Sequence, residues 1–119
     1  MNRNDALNLS VDLALAWGTD WLQPIQSRLA AKNSALSTAE LDEYNELSQG
    51  VLKTGFKLIT DILEGVYDKR ETIKEKDLRA AFIADMRGRF PWMNEVNLKK
   101  ILSQGLYYAW KNGLGDCIK

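Results

Sequence analysis

The amino-acid sequence predicts an all-α fold: a single-domain bundle of four main helices, two long antiparallel ones as the spine and two shorter ones packed across them. Three observations carry this expectation. Apolar residues recur at spacings of three and four along most of the chain, and no strand-type alternation runs for more than a few residues. Helix start and stop signals punctuate the pattern at helical intervals. A chain of 119 residues, 45% hydrophobic and 27% charged, is near the commonest domain size and long enough for a core without metal or disulfide staples.

The first helix is expected from about Asp5 to Lys32. Leu7, Val11, Ala14, Gly18, Trp21 and Ile25 form an a/d seam that Leu15, Leu22 and Leu29 widen. Small residues at Ala14 and Gly18 would admit a neighbouring helix, Trp17 and Trp21 read as core aromatics one turn apart, and Pro24 should kink or split the helix. Residues 33–37 form a connector, short enough to favour an antiparallel pair. Ser37 and Glu40 then make a capping box that opens a second helix running to about Tyr67. Leu41, Tyr44, Ser48, Val51, Gly55, Leu58 and Ile62 form one seam of that helix, and Leu52, Phe56, Ile59, Leu63 and Val66 a second. A helix apolar over this much of its circumference belongs in the middle of a bundle.

A charged turn follows, with Thr72 and Glu75 as a second possible capping box. The third helix, near Lys76 to Arg87 or Gly88, should bury Leu78, Phe82 and Met86 before Pro91 stops it. Asn94 can cap a fourth helix that Asn112-Gly113 ends, leaving residues 113–119 as a short tail. On this fourth helix Leu98, Ile101, Leu102, Gly105 and Ala109 share the expected core face, with Tyr108 and Leu106 on its flanks. Val96, Lys100, Ser103, Tyr107 and Lys111 lie opposite, with Lys99 and Trp110 beside them.

Composition excludes several chemistries. Without histidine there is no Ser-His-Asp triad, imidazole proton shuttle or histidine metal site. The single cysteine, Cys117, cannot form an intrachain disulfide or a zinc cluster, and a cytoplasmic setting is the default expectation. Asp5 and Asp12 interrupt the only stretch resembling a signal peptide, and no run is long enough for a membrane span. The acidic group Glu40, Asp42, Glu43, Glu46, Asp61, Glu64 and Asp68 matches no calcium loop, and its first members suit a helix N-terminus. No metal or cofactor is expected.

Zero net charge conceals two poles. Residues 34–68 carry two positive and seven negative side chains, a balance of −5; residues 69–119 carry eleven positive and six negative, a balance of +5. Within the basic part, residues 87–112 hold five of the eleven aromatics: Phe90, Trp92, Tyr107, Tyr108 and Trp110. Tyr and Trp beside Arg are the residue types enriched at binding hot spots. The candidate partner-binding residues are therefore Tyr107, Trp110, Trp92, Phe90, Arg87, Arg89, Lys100 and Lys111; the structural alternative is that the chain's own Phe90–Trp92 loop or its tail covers Tyr107 and Trp110. They suggest a non-enzymatic protein-interaction or regulatory module, with a homodimer among the expected forms. The same residues would serve base stacking and phosphate binding in a nucleic-acid module. A ligand-binding bundle or histidine-independent enzyme would instead need Arg28, Arg79, Gln104 and Tyr108 to converge on one pocket.

Overall fold

The computed structural model describes residues 2–16 and 18–119, so Trp17, half of the expected Trp17–Trp21 pair, lies outside the described residues. The fold is all-α, and among the described residues it has five α-helices rather than four main ones. They are α1 (Arg3–Ala14), α2 (Gln26–Lys32), α3 (Thr38–Asp68), α4 (Glu75–Arg89) and α5 (Glu95–Lys111), with short 3₁₀ turns at Gly18–Asp20 and Gly115–Cys117. Buried side chains from all five helices form one core cluster. The long helix α3 packs against every other helix and buries residues from both of its apolar seams, among them Tyr44, Val51 and Gly55 from one and Leu52, Ile59 and Leu63 from the other.

The single helix expected over Asp5–Lys32 is broken in two, because the chain reverses between Leu15 and Ile25. Gly18 sits at φ 90° and Leu22 at φ 60°, left-handed conformations that no α-helix contains. The backbone groups released by the break find side-chain partners on α2 and α3. The Arg28 guanidinium donates to the carbonyls of Leu13 (2.7 Å), Gln23 (3.1 Å), Asp20 (3.4 Å) and Pro24 (3.4 Å). Asn45 Oδ1 accepts from the Ile25 amide at 3.0 Å, and Gln49 Nε2 donates to the Gln23 carbonyl at 3.2 Å. The expected close approach of a helix at Gly18 is absent: a Cβ there would meet nothing within 4 Å. Its glycine serves the turn.

This break also overturns the antiparallel spine. Asn8, Asp12 and Leu15 of α1 and its C-terminus bond in order to Asn97, Lys100 and Gln104 of α5. Gly55 and Ile59 of α3 likewise face Ile101 and Gly105. Helices α1, α3 and α5 therefore run in the same direction. The shorter α2 and α4 return the chain between them: Gln26 bonds Asp42, and Met86 lies beside Gly55.

The α3–α5 contact is a reciprocal exchange of bulk for space. Ile101 fills the gap left by Gly55, where a Cβ would stand 2.6 Å from Ile101 Cγ2, and Ile59 fills the gap left by Gly105 so closely that a Cβ there would collide with Ile59 Cδ1. Two bare backbone positions, each facing an isoleucine, bring the parallel helices together at core packing density.

The ends follow local chemistry more closely. Ser37 and Glu40 form the expected capping box on α3, and Asn94 Oδ1 caps α5 through the Asn97 amide at 2.9 Å. The Thr72–Glu75 box does not form; Lys74 is the N-cap of α4, without a side-chain cap bond. Helices α3 and α5 end in the same hydrogen-bond pattern. Glu71 and Arg70 amides bond the Val66 and Tyr67 carbonyls, and Leu114 and Gly113 amides bond those of Ala109 and Trp110. This is the Schellman motif, whose left-handed residue is Gly113 (φ 87°) in one case and Arg70 (φ 56°) in the other. Residues expected to be a tail are tied down: Ile73 N donates to Cys117 O at 2.8 Å, Lys119 N to Ile73 O at 2.9 Å, and Cys117 is buried.

Candidate functional site

The predicted partner-binding residues divide between the two ends of α5, a rod of 17 residues that spans about 25 Å. Phe90 and Trp92 lie before its N-terminus, packed edge to face with ring centroids 5.9 Å apart. Tyr107 and Trp110 lie near its C-terminus with centroids 6.5 Å apart. Adjacent in sequence, the four aromatics do not make one patch.

At the C-terminal end the rings continue inward. Tyr107 packs edge-on against Tyr108, with centroids 5.3 Å apart. Tyr108 stacks on Trp21 at 4.9 Å with planes 8° apart, and Trp21 meets Phe56 at 6.3 Å. Gln104 fixes the middle of this ladder. Its Oε1 accepts from Trp21 Nε1 at 2.7 Å while its Nε2 donates to the Leu15 carbonyl at 2.9 Å. The outer rungs face solvent: Tyr107 is 49% exposed and Trp110 68%. The Phe90–Trp92 loop is remote from them. The C-terminal segment reaches Trp110 at Gly115, which sits so close that a Cβ would stand 2.6 Å from the indole Cδ1.

At the other end, Phe90 and Trp92 line an open groove of about 840 Å³ between α1 and α3. Leu7, Leu47 and Val51 supply apolar walls, and Gly50 is a bare position in the lining where a Cβ would meet nothing within 4 Å. At one end Arg3 pairs with Glu43 at 2.9 Å and lies over the Tyr44 ring, its charge centre 5.6 Å from the ring centroid. The hydrogen bond and charge of Glu43 raise the already high pKa of Arg3. Glu46, also in the lining, is exposed and joins no ion pair among the described residues.

Three of the predicted cations are engaged locally. Arg87 pairs with Glu95 at 3.4 Å, Arg89 with Asp85, and Lys100 with Asp12 at 2.6 Å. Lys111 is exposed one position after Trp110. The four residues considered for a ligand pocket do not converge. Gln104 and Tyr108 meet at Trp21, whereas Arg28 holds the α1–α2 reversal and Arg79 pairs with Glu75 on α4. The Trp21–Gln104 pairing was missed in the sequence, and its signal was a glutamine on the apolar face of α5 between Ile101 and Tyr108. Among the described residues no group of carboxylates and thiols is placed to hold a metal ion, and no helix is long and apolar enough to cross a membrane. Compared with known proteins, the chain matches no family model, no curated protein and no solved structure.

Proposed function

We propose that this protein is a cytoplasmic protein-interaction module that presents Tyr107 and Trp110 to a protein partner. The observation that supports this reading is an exposed Tyr–Trp pair standing on a ladder of rings fixed to the core through Tyr108, Trp21 and Gln104. Rings already held in place lose little side-chain freedom on binding, so more of their burial appears as affinity. The ion pairs of Arg87, Arg89 and Lys100 weigh against nucleic acid as the partner, since a phosphate would have to displace a carboxylate at each.

The test compares wild type with Tyr107→Ala and Trp110→Ala in self-association, capture of partners from source lysate, and urea unfolding. Both variants should lose association while the unfolding free energy stays within about 0.5 kcal/mol of wild type, as at an ordinary surface position. A loss of about 3–5 kcal/mol, the cost of truncating a buried aromatic, would place these rings in the folding core and end the proposal.

A further inference from the structure

We infer that the partner is a second copy of this chain, whose α1–α3 groove receives the Tyr107–Trp110 knob in a head-to-tail assembly; this rests on the proposed function above. Of the five large hydrophobics exposed among the described residues, Tyr107 and Trp110 form the knob and Leu47 lies in the groove. One surface is convex and aromatic, the other concave and apolar with a volume of about 840 Å³.

Charge points the same way. With Arg3 and Glu43 paired, the groove's remaining lining charge is the carboxylate of Glu46, on the segment whose balance is −5. The knob carries the exposed ammonium of Lys111, in the segment whose balance is +5. Opposite charge at the edge of an apolar contact orients the approach and disfavours knob-on-knob pairing.

The placement of the two surfaces sets the symmetry. They lie at opposite ends of α5, so a molecule cannot put its own knob into its own groove. A knob seated in a neighbour's groove leaves that neighbour's knob and the first molecule's groove unfilled, unless a two-fold axis lets the two molecules exchange knobs. Such a heterologous contact propagates into chains unless its rotation closes a ring. Two aromatic side chains bury at most about 500 Å², which belongs to the weak end of protein interfaces.

Sedimentation velocity of the full chain, from about 1 μM to about 1 mM to cover such affinities, tests this. The wild type should sediment faster as concentration rises, levelling at a dimer where two copies exchange knobs and continuing beyond it where they do not, and added salt should reduce the effect. Trp110→Ala should remain monomeric, its self-association weakened by about thirtyfold or more, as at a hot spot. Gly50→Leu fills the groove at a helical position with open space, so it should melt higher than wild type and yet stay monomeric. An equimolar mixture of the two variants retains one good groove and one good knob, and should form pairs and nothing larger.

Wild-type assembly by Gly50→Leu, or a mixture that remains monomeric, would overturn the groove as receiver. A wild type monomeric throughout, with Trp110-dependent capture of a different protein, would overturn the second copy while leaving the interaction reading in place. A monomeric wild type that captures nothing would overturn both.

Discussion

The reciprocal packing of α3 and α5 makes the effect of one methyl group depend on another across the interface. In Gly105→Ala the new Cβ collides with Ile59 Cδ1 and reaches Phe56 Cδ1 at 3.4 Å and Ile59 Cγ1 at 3.5 Å, the latter two ordinary contacts. Ile59 is fully buried, so its terminal methyl has no open side to turn into. Overpacking of this kind costs about 1–3 kcal/mol, and alanine returns about 1 kcal/mol of helix propensity. The expected net loss is about 1 kcal/mol. Ile59→Val removes Cδ1 alone and by itself costs about 0.5–1.5 kcal/mol. In that background the collision is gone and the propensity gain remains, so Gly105→Ala should stabilise by about 1 kcal/mol. The double-mutant cycle should therefore show a coupling of about 2 kcal/mol, with the alanine effect changing sign. Urea unfolding of the four proteins, followed by circular dichroism, measures it directly. Effects that add to within about 0.5 kcal/mol would mean that Ile59 is not seated against Gly105.

Other consequences concern the backbone turns and the ladder. Arg70→Gly should stabilise by up to about 1 kcal/mol, since it removes about 1–2 kcal/mol of left-handed strain and adds about 0.4–1 kcal/mol of unfolded-state entropy. Gly113→Ala, at the matching position of the other Schellman motif, should destabilise by about 1 kcal/mol; thermal midpoints moving in the same direction for both would refute the shared motif. Gly18→Ala and Gly18→Leu should cost the same, about 1–2 kcal/mol, because the site is open, and a markedly larger loss for leucine would show that a neighbouring element packs there. Gln104→Leu takes the side-chain donor from the Leu15 carbonyl and should cost about 1–3 kcal/mol. It should also shift tryptophan emission, because Trp21 Nε1 loses its bond to Oε1; unchanged stability and emission would count against the ladder's fixed middle.

Much of the fold was legible where local signals decide. The start of α3 at Ser37–Glu40, the Asn94 cap, and the burial of Leu78, Phe82 and Met86 on α4 follow from short-range chemistry and helical period. The faces of α5 were legible too: Leu98, Ile101, Leu102, Gly105 and Ala109 are buried while Val96, Lys100, Ser103, Tyr107 and Lys111 are exposed. The reversal after α1 was not. The seam reaches Trp21 and Ile25 at helical spacing across the break, because those two residues still enter the core or its edge from a chain that has turned back, while Gly18 is exposed in the turn. What stabilises the turn comes from later in the chain, in Arg28 of α2 and in Asn45 and Gln49 of α3.

The sequence by itself determined an all-α chain, the faces of its C-terminal helices, the lack of imidazole and paired-thiol chemistry, and which aromatics were candidates for binding. Those properties depend on residue type and on separations of three or four positions. Tertiary structure alone decided that α1, α3 and α5 run parallel, that Gly55 and Gly105 exchange space with Ile101 and Ile59, and that the tail is tied to Ile73. It also divided the candidate site, placing Phe90 and Trp92 in a groove and Tyr107 and Trp110 on a knob beyond it. A helix is stiff, and residues no more than twenty positions apart in sequence are carried to opposite ends of a rod about 25 Å long.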